Sequence, residues 1–254
     1  MAVLDHFAFV LFRPKAPGNV GAASRALKNM GFSDLRLVAP QRPHLAGAAM
    51  AVHGGDVLAA AQVHPDLASA LADRTLVVGT TARTGPYRNG AQPIREAVPA
   101  LLNHAAENRV AIVFGPEDCG LTNDELKFCQ RLLTIPTVPA YPSLNLAQAV
   151  LIVAYEVMLA AGAARELVAA PALASAAAVD AMLARMADAL VAIGFLPDNN
   201  PDHIMFALRT IFGRSGLRPR ELDILNGIAR QVRWCAEGGH ETLAAKRRAG
   251  KPLR

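Results

Sequence analysis

Short apolar runs rich in Val, Ile and Phe recur along the chain, and turn-forming residues bound each of them. Continuous apolar runs of this length are typical of strands that are covered on both faces, as in a parallel α/β sheet. The pattern therefore predicts five strands: His6–Phe12, Leu35–Val38, Thr75–Val78, Val110–Phe114 and Leu132–Ile135.

Helical spacing appears between these strands. Val20–Met30 has apolar residues at 20, 23, 27 and 30, which form one helical face. We expect Asn19 to cap this helix and Gly31 to end it. Strands that alternate with helices predict a three-layer α/β body.

Two further helices are indicated downstream. Thr122 and Glu125 form a T-x-x-E capping box, which predicts a helix that runs to about Gln130. A second stripe predicts a long buried helix. Its apolar members are Leu146, Val150, Val153 and Val157.

Strand signals stop after this helix. We therefore predict a domain at residues 1–162, an Ala-rich linker at 163–179 and a small all-helical extension at 180–254. Three helical patterns occupy the extension: Met182–Ile193, Asp202–Phe212 and Glu221–Trp234.

Composition supports a folded protein with a basic C-terminal third. Hydrophobic residues make up 52% of the 254 positions and charged residues 19%, which excludes wholesale disorder. Residues 180–254 hold 12 basic and 8 acidic residues, whereas residues 1–179 hold 14 and 13. This asymmetry indicates either a polyanionic partner for the extension or a solvated basic surface.

The sequence disfavours disulfide-rich, zinc-binding, secreted and membrane-spanning proteins. Three scattered cysteines are too few for a disulfide framework or a zinc site, so we expect no metal. The N-terminal residues lack a basic region followed by an apolar core, which predicts no signal peptide. Polar residues interrupt the longest apolar run, Leu144–Ala164, which favours a buried helix over a membrane span. We therefore expect a soluble, cytoplasmic protein.

The candidate site lies at strand ends. The chain lacks G-x-G-x-x-G after its first strand, and it lacks G-x-x-x-x-G-K-[ST]. Ligands of open α/β sheets bind beyond the carboxyl ends of the strands. Four segments share the form of a strand followed by small or polar residues, and we expect them to converge there: Val77–Arg83, Val113–Asp118, Thr134–Thr137 and Pro142–Leu146.

Three segments carry a resemblance to a known family. They read N-V-G-A-A-S-R-A-L-K-N-M-G-F (19–32), F-G-P-E-D-C-G-L-T-N-D-E-L (114–126) and S-L-N-L-A-Q-A-V (143–150). In this order they resemble the motifs of the SPOUT methyltransferases, and they are most similar to the TrmJ branch, tRNA (cytidine/uridine-2′-O)-methyltransferases. Residues 192–228 resemble that branch's helical C-terminal extension more weakly.

The resemblance implies a parallel-sheet fold with a C-terminal trefoil knot, an exception to the rule that chains are unknotted. It also implies a homodimer that binds S-adenosylmethionine and methylates the ribose 2′-hydroxyl of nucleotide 32 in the tRNA anticodon loop. The cofactor contacts implied by motif match are Thr80, Thr81, Ala82, Gly115, Ile135, Pro142, Ser143 and Leu144.

Arg25 is the catalytic residue implied by the motifs. A guanidinium holds its proton too tightly to be a good base, so we favour Arg25 as a group that binds the 2′-oxygen or the adjacent phosphate. A phosphate, water or Arg25 itself remain alternative proton acceptors. Ser143 is expected either to position the ribose or cofactor, or to cap a helix.

The chain departs from the family pattern in two places. Ala82-Arg83-Thr84-Gly85 stands where the TrmJ branch commonly reads A-R-S-R, although Arg88 is near enough to substitute for the missing arginine. Pro116 and Asp118 stand where basic residues are common. Both changes subtract positive charge near the expected RNA channel.

The expected RNA-binding residues are Asn19, Arg83, Arg88, Arg209 and Arg214. The extension could instead be a dimerisation element with a basic exterior. Two other functions stay open, a SPOUT enzyme that methylates rRNA ribose and an inactive RNA-binding protein of the same fold.

Overall fold

The computed structural model describes residues 3–83, 85–163, 171–197, 202–239 and 241, without the side chains of residues 86, 214 and 215. Thr84 and part of the expected linker, residues 164–170, lie outside the described residues. The chain forms two compact units, Met1–Ala177 and Ala178–Arg254.

A seven-stranded parallel sheet forms the centre of the first unit. The strands are β1 (Phe7–Phe12), β2 (Asp34–Val38), β3 (Gln62–His64), β4 (Leu76–Thr80), β5 (Gln92–Pro93), β6 (Val110–Phe114) and β7 (Arg131–Thr134). Their order across the sheet is β3-β2-β1-β6-β4-β7-β5, and every pair is parallel.

The five predicted strands are confirmed, with small shifts at their ends. The sequence missed β3 and β5, which are the two edge strands. β3 has three residues that are mainly exposed, and β5 has two residues, one of them proline. Neither has the apolar run that a strand covered on both faces requires.

The described residues of the first unit form seven α-helices. They are α1 (Pro17–Asn29), α2 (Ala48–Ala51), α3 (Gly55–Ala59), α4 (Leu67–Leu71), α5 (Ile94–Ala105), α6 (Asn123–Leu126) and α7 (Leu146–Ala163). The capping box of Thr122 and Glu125 is confirmed at the start of α6. The expected extension of this helix to Gln130 is wrong, because the backbone amide of Gln130 already bonds to Val77 of β4.

The start of α1 also differs from the expectation. Pro17 is its first residue and Ala16 its N-cap, so Asn19 lies inside the first turn and does not cap the helix. Gly31 follows the helix with φ +80°, a backbone conformation that favours glycine, as the sequence predicts for a helix end.

Side chains of the central strands alternate between two cores. In β1, Phe7, Phe9 and Leu11 pack with buried residues of α1, α5 and α7 on one face of the sheet. Val10 of the same strand packs on the other face with buried residues of α4 and α6. The sheet is therefore covered on both sides, and the predicted three-layer α/β architecture is confirmed.

Helix α7 has one buried and one exposed apolar side. The predicted stripe of Leu146, Val150, Val153 and Val157 is buried. Among the described residues, α7 is also the one helix whose length and composition would suffice to cross a membrane, with 28% of that stretch buried.

The second unit is helical in its described part. Helix α8 (Ala176–Ala192) begins just before the boundary, followed by α9 (Asp202–Ser215) and α10 (Pro219–Trp234). α8 starts inside the segment that the sequence assigns to the linker, because its alanines favour helix. α9 continues past its predicted end at Phe212 and runs to Ser215.

Candidate active site

A pocket of about 270 Å³ opens at the carboxyl ends of the central strands. The loops after β4, β6 and β7 and the segment that precedes α7 form its wall, so the four predicted segments converge there. Seven of the eight expected cofactor contacts line it: Thr80, Thr81, Ala82, Ile135, Pro142, Ser143 and Leu144. The loop from Pro116 to Leu121 contributes a further side of the wall.

Gly115, the eighth expected contact, allows two backbone segments to pass very close to each other. A Cβ atom at this position would lie 2.3 Å from both the carbonyl carbon of Gly120 and the amide nitrogen of Leu121. Any side chain here would push the 120–121 backbone outward and reshape the pocket wall. The requirement for glycine is therefore steric.

A series of hydrogen bonds joins the first turn of α1 to two loops beside the pocket. Nδ2 of Asn145 donates to Oδ1 of Asn19 over 3.0 Å, and Nδ2 of Asn19 donates to Oε1 of Glu117 over 2.8 Å. Glu117 lines the pocket, Asn19 lies in α1 and Asn145 precedes α7. These hydrogen bonds therefore fix the first turn of α1 against the pocket.

Glu117 also accepts the free amides at the start of α1. The backbone amides of Lys15 and Ala16 donate to its carboxylate at 3.0 and 3.2 Å. Burial raises the pKa of Glu117, but the hydrogen bonds from Asn19 and these amides outweigh it and keep the pKa below the usual 4.5. A carboxylate from a distant loop thus anchors the two backbone amides that immediately precede α1.

Sequence reasoning missed Glu117 as a site residue, although it quoted the F-G-P-E-D segment. Its partners lie about 100 positions earlier in the chain, and no local spacing connects them.

The cap of α7 clarifies the position of Ser143. Oδ1 of Asn145 accepts from the backbone amides of Ala147 at 2.9 Å and Gln148 at 3.4 Å. Asn145 therefore caps this helix, and the alternative in which Ser143 caps it is wrong. Ser143 is exposed in the pocket wall.

Asp118 is neutralised by a lysine from another loop. Nζ of Lys15 lies 2.6 Å from Oδ2 of Asp118, and both side chains are exposed. The acid at position 118 therefore adds less negative charge to the site than the sequence suggests.

Arg83 and Arg88 meet at a single carbonyl. Nη2 of Arg83 donates to the carbonyl oxygen of Leu121 over 2.7 Å, and Nη2 of Arg88 donates to the same atom over 3.0 Å. Arg88 also donates to Oδ1 of Asn123. The two arginines brace the 120–123 loop from one side, which brings Arg88 close to Arg83 as the sequence analysis expected.

Arg25 lies on the exposed side of α1, outside the pocket wall. It forms no hydrogen bond or ion pair with another residue in the described ranges, whereas Lys28, one turn on, pairs with Asp56 at 2.6 Å. Behind it, a Cβ atom on Gly54 would lie 2.6 Å from Cα of Arg25, so the segment before α3 packs directly on the helix backbone. The backbone of Arg25 is thus held while its guanidinium pairs with no other residue that the structure describes.

In the helical unit, Arg209 forms a close ion pair with Asp180. The side chain of Arg214 lies outside the described part of the chain. The structure therefore describes the surroundings of only one of these two expected RNA contacts.

Comparison with known proteins gives the same assignment for both units. Residues 6–155 match the model of the SpoU rRNA Methylase family, and residues 177–246 match that of the tRNA methyltransferase TrmJ, C-terminal domain. The tRNA (cytidine/uridine/adenosine-2′-O-)-methyltransferase TrmJ of Pseudomonas aeruginosa is 38% identical, over 93% of this chain and 97% of that protein. The Klebsiella pneumoniae TrmJ is 37% identical, over 91% and 97%.

A solved structure extends the similarity to three dimensions. The crystal structure of TrmJ from Z. mobilis superposes with a TM-score of 0.78 at 31% identity, and it covers 89% of this chain and 98% of that one. The family match spans the pocket and α1, and the match to the TrmJ C-terminal domain spans the helical unit. The chain therefore belongs to the SpoU methylase family, in its TrmJ branch, and is an RNA methyltransferase.

Proposed function

We propose that this protein transfers the methyl group of S-adenosylmethionine to a ribose 2′-hydroxyl of tRNA, at nucleotide 32 of the anticodon loop. The hydrogen-bonded chain from Asn145 through Asn19 to Glu117 carries the proposal, because it fixes the helix that bears Arg25 against the pocket. The relatives that match over most of the chain are named for 2′-O-methylation of tRNA, which supports the substrate.

The pocket has the chemistry that S-adenosylmethionine requires. Apolar side chains, among them Ile135 and Leu144, suit an adenine ring, and the hydroxyls of Thr80, Thr81 and Ser143 suit its polar groups. When bound, S-adenosylmethionine supplies an electrophilic methyl group on a positively charged sulfonium. The carboxylate of Glu117 lines the same pocket and favours a cationic ligand.

Arg25 is proposed to act on the ribose. In the reaction, the 2′-oxygen forms a bond to the methyl carbon, the bond from that carbon to sulfur breaks, and the hydroxyl proton leaves. That proton passes to water or to the adjacent phosphate, while the Arg25 guanidinium binds the 2′-oxygen or that phosphate and stabilises negative charge as it develops. Its freedom from ion pairs with other described residues leaves it available for that contact.

We further propose a homodimer that works in the cytoplasm without a membrane span. On α7, Leu151, Tyr155 and Leu159 are 39%, 44% and 49% exposed and follow each other at four-residue spacing. They form one apolar stripe opposite the buried one. A second copy packed on this stripe would bury it, and this also accounts for the apolar composition of the helix.

The RNA is proposed to contact both units. Asn19, Arg83 and Arg88 lie at the edge of the pocket, and Arg209 and Arg214 belong to α9 in the basic extension. The guanidinium groups of the four arginines would bind phosphates and so set affinity without selecting the base.

The test is methyl transfer from radiolabelled S-adenosylmethionine to bulk tRNA and, separately, to bulk rRNA, with mapping of the modified nucleotide. Label at nucleotide 32 of tRNA is the expected result. Label confined to rRNA would replace the tRNA assignment with the rRNA alternative. Absence of label from both, in protein that still binds S-adenosylmethionine, would contradict the proposed activity.

A further inference from the structure

A second pocket, of about 280 Å³, lies within the helical unit. Residues of α8 and α10 and of the turn after α10 form its wall. Most of them are charged, and one is aromatic: Arg185, Asp188, Ala229, Arg230, Arg233, Trp234 and Glu237. A pocket that combines guanidinium groups, carboxylates and an indole ring has the chemistry of a ligand site with both charged and flat parts.

Trp234 offers a fixed aromatic surface. A Cβ atom on Gly239 would lie 2.3 Å from Cδ2 of the indole, so the backbone of the following turn packs tightly against the ring. The residue is nevertheless 39% exposed, and Ala229 beside it is small and buried. An aromatic ring held on one side and open at a pocket is a surface on which a planar group can stack.

Two arginines in the wall carry charge that no carboxylate neutralises in the described ranges. Arg230 is exposed and forms no hydrogen bond or ion pair with another described residue. Arg185 donates through Nη1 to Oδ1 of Asn226 over 2.7 Å, and this neutral partner leaves its charge intact. Arg233 differs, because its Nε atom lies 2.9 Å from Oε1 of Glu237.

We propose that this pocket binds an unpaired nucleotide of the RNA substrate, whose base stacks on Trp234 while Arg185 and Arg230 hold the neighbouring phosphates. Unstacked bases on aromatic rings, with phosphates on arginines, are a common mode of single-stranded RNA recognition. The inference rests on the proposed function, since it takes RNA as the ligand, and it assigns the extension a binding site of its own.

Inorganic phosphate alone fits this pocket poorly. Asp188 repels a bare phosphate, whereas Glu237 is already paired with Arg233. Both carboxylates can accept hydrogen bonds from amino groups on the edge of a base. Cytosine, adenine and guanine carry such an amino group, whereas uracil does not. The pocket is therefore expected to prefer cytosine over uracil.

The experiment uses Trp234 as its own reporter, because it is the only tryptophan in the sequence. Full-length protein is titrated with single-stranded oligocytidine and oligouridine hexamers while indole fluorescence is recorded. We expect saturable quenching with both, with tighter binding of oligocytidine, and displacement of the oligonucleotide by tRNA.

Variants then locate the binding. We expect Trp234→Ala to weaken RNA binding in a filter assay by about tenfold, and Trp234→Phe, which keeps a ring, to restore most of it. Arg230→Ala removes a phosphate contact, so binding weakens and the slope of log K against log salt falls by about one. Arg220→Ala is the matched control, since it removes the same charge from the same helix outside the pocket.

Two results would overturn the pocket assignment. One is RNA that binds in the filter assay without changing the fluorescence, and the other is an Arg230→Ala effect no larger than that of Arg220→Ala. If the wild-type protein still methylates tRNA, only the pocket assignment is wrong and the proposed function stands. Saturable quenching by RNA in a protein that labels neither tRNA nor rRNA would support the pocket and contradict the proposed function.

Discussion

Asn145 donates a hydrogen bond to the side-chain oxygen of Asn19, 3.0 Å away, although the two residues are 126 positions apart in the sequence. With its oxygen engaged, Asn19 presents its amide nitrogen to Glu117. One amide thus connects the start of α7 to Glu117, the carboxylate that holds the backbone before α1, and its two ends have different partners.

This orientation of the side-chain amide predicts the effect of changing Asn19. Asn19→Asp keeps the size of the side chain but places a carboxylate against Glu117, so we expect methyl transfer to fall at least tenfold and stability by about 1–3 kcal/mol. Initial rates and urea unfolding are the measurements. The control is Asn29→Asp at the exposed end of the same helix, and equal effects at the two positions would contradict this role of Asn19.

A buried ion network gives a prediction about stability. Arg36 and Arg74 are 5% and 3% exposed, and Asp34 lies 3.1 and 2.7 Å from their guanidinium nitrogens. Asp34→Asn removes a negative charge that offsets the buried guanidinium groups of Arg36 and Arg74. It should therefore destabilise the first unit by about 3–5 kcal/mol.

Asp56→Asn, which breaks the exposed pair with Lys28, is the comparison and should change stability far less, because water already screens that pair. Hydrogen exchange followed by mass spectrometry resolves β1 and β2 from the helical unit. Similar losses for the two variants would show that burial of the network contributes little.

A pH prediction follows from His104 in α5. Burial lowers the pKa of His104, and nearby Arg131 lowers it further, from the ordinary 6.5. As pH falls below about 6.5, the unfolded chain binds a proton that the folded chain does not, so the free energy of unfolding decreases until the folded pKa is reached. His104→Gln should remove this part of the acid dependence.

The measurement is urea unfolding of the His104→Gln variant between pH 7.5 and about 5, across the ordinary histidine pKa. The exposed His53 supplies the control variant, His53→Gln. An unchanged slope of stability against pH in the His104 variant would refute the assignment.

The apolar stripe of α7 predicts the oligomeric state. Leu159→Glu places a charge within the proposed interface and should convert a dimer into a monomer with lower methyl-transfer activity. Light scattering coupled to size-exclusion chromatography measures the mass. Leu45→Glu, at a side chain 57% exposed elsewhere, should leave the dimer intact. A wild-type monomer would rule out the interface.

The sequence predicts the inner strands well because a strand covered on both faces must be continuously apolar. The edge strands β3 and β5 were not predicted. β3 has three mainly exposed residues and β5 is a Gln-Pro pair, so neither has a continuous apolar run. Similarly, the pocket wall follows from strand ends that meet at one edge of a parallel sheet. The role of Glu117 does not, because it depends on loops distant in sequence that meet only in the folded chain.

Arg25 provides the most direct test of the account. Methyl transfer to tRNA and calorimetric titration with S-adenosylmethionine are measured on the same preparations of wild type, Arg25→Ala and the surface control Arg42→Ala. The account predicts that Arg25→Ala loses methyl transfer and binds S-adenosylmethionine as tightly as wild type, since Arg25 lies outside the pocket wall. Loss of S-adenosylmethionine binding, or methyl transfer at the wild-type rate, would contradict it.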